Sequence, residues 1–129
     1  MLLGILTISC NFQNKDNSEK KQNTETNTAT IKPAEQIKPT DICMFYNVIL
    51  DAPSEFPVDI DGKIYYGCCD YSSSQLREDS TTRFSIDPFS GEKVDKIDAL
   101  IYPDPNIDNG VLYFKSKENY LQFIEKLNE

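Results

Sequence analysis

Hydrophobic and polar residues alternate along two short stretches on either side of an Asp-Gly pair. The stretches are 57–60 and 63–66, and Asp61-Gly62 separates them. Two alternating runs joined by Asp-Gly are typical of a β-hairpin with a tight two-residue turn. The residues that follow, 71–79, contain no proline or glycine and are predicted to form a short helix.

A second hairpin and helix are predicted nearer the end of the chain. Residues 97–102 indicate a strand, 103–109 a loop, and 110–114 the partner strand. Ser116 is a good N-cap for the helix that follows. Five apolar side chains in that helix share one face at helical spacing, namely Tyr120, Leu121, Phe123, Ile124 and Leu127.

The two segments resemble each other when the sequence is shifted by 48 positions. Gly62, Ile64, Tyr65 and Tyr66 then fall on Gly110, Leu112, Tyr113 and Phe114, Cys68 falls on Ser116, Asp70 on Glu118, and Leu76 on Ile124. A shared order of glycine turn, aromatic strand and helix favours an internal duplication. We therefore expect an α+β fold built from two hairpin-plus-helix units.

The first forty residues differ in composition from the rest. Residues 1–10 carry no charge, and residues 11–40 are rich in Asn, Gln, Thr, Lys, Glu and Pro. The polar stretch cannot bury enough apolar area to offset the entropy of ordering its backbone, so we expect a disordered tether. The folded domain is predicted to span residues 41–129.

The uncharged opening segment resembles a bacterial lipoprotein signal. It is too short to cross a bilayer, and it ends in Ser9-Cys10, a small residue followed by a cysteine. The resemblance implies that Cys10 is lipidated and that the protein is anchored to a membrane of the cell envelope, facing the periplasm or the cell exterior. The alternative is an apolar N-terminus with an ordinary cysteine.

Composition excludes several classes of function. The 129 residues include no His, and the formal net charge is −8. Without His there is no Ser-His or Cys-His pair and no HExxH zinc site, so we do not expect an enzyme. An acidic chain also lacks the basic face that a nucleic-acid partner requires. Four acids near turns match no calcium-binding loop and are interpreted as solvated turn residues: Asp59, Asp61, Asp104 and Asp108.

The remaining candidates for chemistry are sulfur atoms. Cys68 and Cys69 lie where a predicted strand passes into a helix N-terminus, and Cys43 precedes them by 25 positions. Free backbone N–H groups and the helix dipole at such a junction lower the pKa of a thiol. Thiolates, with the thioether of Met44 as a further donor, suit Cu(I), and Zn(II) is the other common occupant.

Three segments in this order resemble the small heavy-metal-binding domains of the YHS and TRASH type, as found in the MlpB-like, copper-associated lipoproteins of Bacteroidota. The segments are 61–69, 83–96 and 111–120, and the likeness extends over roughly 41–126. It implies a treble-clef-like domain that binds a heavy metal ion, with Cys43 and Cys68 at the first two ligand positions. A protein partner in metal homeostasis would follow from that role.

The third ligand position of that family is occupied by serine. Ser72 stands four residues after Cys68, where the family has a cysteine, and Ser90 replaces another cysteine in the Asp87–Gly91 turn. Either Cys69 and Met44 complete an altered site, or the site is degenerate. In the second case a Cys43–Cys68 or Cys43–Cys69 disulfide would stabilise a structural or interaction lipoprotein.

Overall fold

The structure is a computed structural model that describes residues 30–129. The predicted signal-like segment and residues 11–29 of the predicted tether lie outside the described residues. Within them, the chain from Ile31 to Glu129 forms one compact unit of short antiparallel strands and helices. The predicted α+β class is therefore confirmed.

Each strand pairs with the next one along the chain, which gives four separate two-stranded hairpins in the described region. The strands are β1 (Ile42–Cys43), β2 (Val48–Ile49), β3 (Phe56–Ile60), β4 (Lys63–Gly67), β5 (Phe84–Ile86), β6 (Lys93–Asp95), β7 (Leu100–Pro103) and β8 (Val111–Phe114). The α-helices are α1 (Asp70–Glu78) and α2 (Lys117–Leu127), and short 3-10 turns occupy Pro39–Asp41 and Ser80–Arg83.

The first predicted hairpin is present and turns where the Asp-Gly pair requires it. Ile60 pairs with Lys63, and the intervening Asp61 and Gly62 have φ values of 53° and 89°. Two successive residues with positive φ are characteristic of the type I′ turn, whose twist matches that of the flanking strands. The Asp59 side chain accepts the Gly62 N–H at 2.9 Å, so this acid has the turn role that the sequence predicts.

The second hairpin and its helix also form, with one boundary displaced. β7 begins at Leu100 rather than at the predicted Ile97, because the backbone at Asp98 folds back to donate to the carbonyl of Asp95 at 3.0 Å. Helix α2 begins as predicted, and the Ser116 hydroxyl accepts the backbone N–H of Asn119 at 3.1 Å.

The burial pattern repeats with the 48-residue shift. Tyr65 and Tyr113 are both buried, as are Leu76 and Ile124. The helix caps, however, are 47 residues apart, because Cys69 and Ser116 are the N-cap residues of α1 and α2. Cys69, rather than Cys68, is therefore the counterpart of Ser116 at the helix N-terminus.

Two hairpins were not predicted from the sequence. β1 and β2 contribute only two residues each, which is too short to show alternation. β5 and β6 flank the Asp87–Gly91 turn, in which the Asp87 backbone N–H donates to Glu92 and the Gly91 N–H donates to the Asp87 carbonyl. The strands on either side of this turn are three residues long and too short to be recognised from the sequence.

The folded unit starts about ten residues earlier than predicted. Ile31 N donates to the Asn128 side chain, Ala34 N to the Tyr120 hydroxyl and Ile37 N to the carbonyl of Ile101, each at 2.8 Å. The boundary at residue 41 is therefore wrong. Composition cannot reveal it, because the partners of these polar residues lie far away in the sequence.

Two hydrophobic clusters form the core of the described region. The larger cluster contains side chains from β1, from the β3–β4 and β7–β8 hairpins and from α1. The smaller cluster joins β7 and β8 to α2, and in it the Tyr102 and Tyr120 rings stack with their centroids 3.7 Å apart. None of the helices in residues 30–129 combines the length and the apolar character that crossing a membrane would require.

Candidate metal centre

Three thiols meet where β4 passes into α1. Cys43 ends β1 and is fully buried, whereas Cys68 and Cys69 follow β4 and are partly exposed. The backbone of Met44 donates to the carbonyl of Tyr66 at 2.8 Å, which ties β1 to β4 and carries Cys43 towards the helix N-terminus. The Cys43 thiol lies close enough to Cys68 to raise its pKa, and all three cysteines are free thiols.

Ser72, which replaces the family cysteine, closes the turn between the strand and the helix. Its hydroxyl oxygen accepts the backbone N–H groups of Cys68 at 2.8 Å and Cys69 at 3.1 Å. Both lone pairs of the oxygen are then occupied, and the side chain is fully buried. Ser72 therefore acts as one half of a capping box and has no lone pair free for a metal ion.

Gly67 is required for this arrangement. A Cβ atom at this position would lie 2.7 Å from the Ser72 hydroxyl oxygen, closer than real side chains approach. The last residue of β4 must therefore be glycine for the buried serine to reach the two amides. The Gly-Cys-Cys sequence and Ser72 form one local structure.

The two adjacent cysteines have opposite pKa shifts. Burial raises the pKa of Cys68 to about 11, and the contact with Cys43 adds to the effect. The backbone N–H of Ser72, followed by the Ser72 hydroxyl, lowers the pKa of Cys69. The predicted lowering at the helix N-terminus is confirmed for Cys69 and wrong for Cys68, because only the N-cap side chain meets the free N–H groups.

Met44 does not approach the thiols through any contact that the structure records. It is fully buried within the larger hydrophobic cluster, and its carbonyl oxygen accepts a 2.6 Å hydrogen bond from the Lys96 ammonium. Met44 is therefore a core side chain whose backbone helps to position the site, and its role as a further sulfur donor stays a prediction.

The predicted ligand set is only partly assembled. No three His, Cys, Asp or Glu side chains of residues 30–129 are grouped so that they could hold a metal ion. Cys68 lies near both Cys43 and Cys69, and the Cys69 side chain also accepts the backbone N–H of Ser72 in the first turn of α1. The geometry thus offers two thiols, with a third nearby. Cys10, the predicted lipidation site, lies outside the described residues.

Solvent reaches the thiols past an aromatic rim. Phe45 packs edge-on against Tyr46 and Tyr71, with ring centroids 4.8 and 5.7 Å away, and both tyrosines are at least half exposed. On another side, a cavity of about 230 Å³ formed by residues 50–56 has Cys68 in its wall. An ion can therefore reach Cys68 without unfolding of the core.

The sequence reasoning missed one residue of this region, Lys96. It is 4% exposed, and Cys43, which lies 53 positions away in the chain, acts electrostatically to raise its pKa against the effect of burial. No local pattern marks it, since the neighbouring Asp95 and Asp98 give it the appearance of a surface lysine. Only a lysine at an apolar position of a clear hydrophobic pattern would have indicated from the sequence that it is buried.

Comparison with known proteins adds no relative to this description. No protein-family model matches the chain, and no curated protein or solved structure matches it.

Proposed function

We propose that the protein binds a soft heavy metal ion, Cu(I) or Zn(II), through cysteine thiolates, as a lipoprotein anchored to the cell envelope by Cys10. The observation that carries the proposal is the proximity of Cys43, at the end of β1, to Cys68, which directly follows β4 and lies 25 positions further along the chain. The resemblance to YHS and TRASH domains puts ligands at the same two positions.

The donor chemistry agrees with such an ion. Thiolates are the protein ligands that soft metals prefer, and two of them are sufficient to hold Cu(I) in a linear arrangement. Cys69, at the edge of the pair and with a lowered pKa, is available as a third ligand or as the thiol that first meets the incoming ion. The buried Cys43 is then the ligand that keeps the ion in the protein.

Titration of the reduced protein with Cu(I), against a chromophoric chelator and under argon, tests the proposal. The whole chain carries the Cys10→Ser substitution, so that Cys43, Cys68 and Cys69 are its only thiols. We expect one ion per chain, loss of stoichiometric binding in Cys68→Ser, and a weaker effect in Cys69→Ser. Native mass spectrometry gives the stoichiometry independently.

The second candidate function is a structural or interaction lipoprotein, and the same proximity favours it, because Cys43 and Cys68 could also form a disulfide. A chain purified without reductant that is lighter by two hydrogens, and that takes up no metal after reduction, would establish this alternative. It would also remove the metal-binding proposal.

A further inference from the structure

Lys96 is a buried cation with little to neutralise it. It follows β6, and its ammonium group donates to the Met44 carbonyl at 2.6 Å and lies 5.4 Å from the centre of the Tyr113 ring. None of the carboxylates in residues 30–129 forms an ion pair with it. The adjacent Asp95 accepts instead from Lys63 and Tyr65.

Such an arrangement is costly unless another charge is present for part of the time. An ammonium group has three donors, and burial without a counter-charge is among the most unfavourable changes that folding can impose. Burial lowers the pKa of Lys96 to about 8, so most molecules still carry the charge at pH 7. The titratable group that acts on it is Cys43, and the Tyr113 hydroxyl is engaged with Asn47.

The charge of Lys96 affects monovalent and divalent ions differently. Two thiolates with Cu(I) carry a net charge of −1, and Lys96 brings the buried group to zero. Two thiolates with Zn(II) are already neutral, and Lys96 leaves an uncompensated +1. This count applies to an ion held by Cys43 and Cys68 with Cys69 outside the ligand set. Because a net charge in a poorly solvated site is unfavourable, the first combination is the more stable one.

We propose that Lys96 makes the Cys43–Cys68 pair selective for a monovalent soft cation, Cu(I), over divalent ions. This inference rests on the proposed function and deepens it, since the thiols alone accommodate either ion. Lys96 is a positioning residue for charge and not a ligand.

Three variants in the whole Cys10→Ser chain test the selectivity. Lys96→Gln retains an N–H donor for the Met44 carbonyl but removes the charge, and Lys96→Arg retains the charge. Lys93→Gln, at the exposed first position of β6, removes an equal charge from the surface as the matched control. The measured quantity is the ratio of the Cu(I) and Zn(II) association constants, each from chelator competition at pH 7.

We expect the ratio to fall on the order of tenfold or more in Lys96→Gln, as the loss of one close charge in a partly buried site implies. It should stay near the wild-type value in Lys96→Arg and Lys93→Gln. A wild-type protein that binds Cu(I) while Lys96→Gln leaves the ratio unchanged would overturn the inference and leave the proposed function standing.

Absence of Cu(I) binding in the wild type would remove the proposed function itself, and the inference with it. If Lys96→Gln fails to fold, as judged by circular dichroism, Lys96→Arg decides. A ratio retained in the arginine variant supports a role for the charge, and a ratio that drops tenfold contradicts it.

Discussion

Asp87 and Lys96 are the two charged residues buried in the described part of the chain, and their surroundings are very different. The Asp87 carboxylate accepts four hydrogen bonds of 2.7–3.0 Å, from the backbones of Phe89, Ser90 and Lys115 and from the Asn119 side chain. Lys96 has one carbonyl acceptor and an aromatic ring.

The difference separates a structural charge from one kept for another purpose. Asp87 joins the β5–β6 turn to the N-terminus of α2, and every donor around it has a partner. Lys96 lies near Cys43, and none of the carboxylates in residues 30–129 forms an ion pair with it. A fully satisfied buried charge indicates a structural role, whereas the poorly satisfied charge near free thiols is the feature on which the proposed metal selectivity rests.

The largest effect is expected from removing the satisfied charge. Asp87→Ala leaves four donors without an acceptor in the interior, and we expect a loss of about 3 kcal/mol or more in the free energy of unfolding. Urea denaturation measures it. Asp104→Ala is the control, because the carboxylate of this half-buried turn acid accepts only the Asn106 N–H, and its loss should cost less than about 1 kcal/mol. Equal losses in the two variants would contradict the structural role of Asp87.

Two buried neutral side chains also differ in whether they are hydrogen-bonded, and an intermediate loss of stability is expected from replacing the hydrogen-bonded one. Ser72 and Ser73 are adjacent and buried, but the Ser73 hydroxyl has no hydrogen-bond partner in the described region. Ser72→Ala deprives the amides of Cys68 and Cys69 of their acceptor and should cost about 1–2 kcal/mol. Ser73→Ala should be neutral or stabilising in the same denaturation experiment. Similar costs for both would show that packing, not capping, determines the role of Ser72.

The smallest effect on stability is expected from removing the poorly satisfied charge. Lys96→Met leaves the Met44 carbonyl unpaired but also removes a costly buried cation, so the metal-free protein should stay within about 1 kcal/mol of the wild type at pH 7. A loss as large as that of Asp87→Ala would make Lys96 a structural residue and would weaken the inference on metal selectivity.

The difference in stability between the wild type and Lys96→Met is expected to depend on pH. The pKa of Lys96 is lowered from 10.5 to about 8 by burial, so between these values the unfolded chain binds a proton that the folded protein has lost. The stability of the wild type relative to Lys96→Met should therefore rise as the pH increases from about 8 to 10.5. Parallel denaturation curves measured across this range would show whether the rise occurs, and a constant difference would mean that Lys96 is not desolvated.

Local patterns were sufficient for the elements of the two repeated units. The Asp61-Gly62 turn, the aromatic strands and the Ser116 cap each depend on neighbours a few residues away, and each is found in the structure. β1 and β2, in contrast, are two residues long and depend on pairing across a tight turn and on contacts with β4. Periodicity cannot detect strands of that length.

For the candidate site, the sequence identified the cysteines but not which of them caps the helix or how the pKa of each thiol is shifted. The cysteine positions and the serine at the third ligand place follow directly from the order of residues. That Cys69 rather than Cys68 caps α1 depends on where the helix begins, and the two pKa directions follow from that single residue of difference.

By itself, the sequence determined that no histidine can hold a metal ion, so that sulfur is the soft donor the chain offers, and it predicted the two hairpin-plus-helix units. Tertiary structure alone decided that Cys43 meets Cys68, that Met44 lies in the core and that Lys96 is buried beside the thiols. The physical reason is that burial and charge act through space, and these residues are neighbours only after the strands have paired.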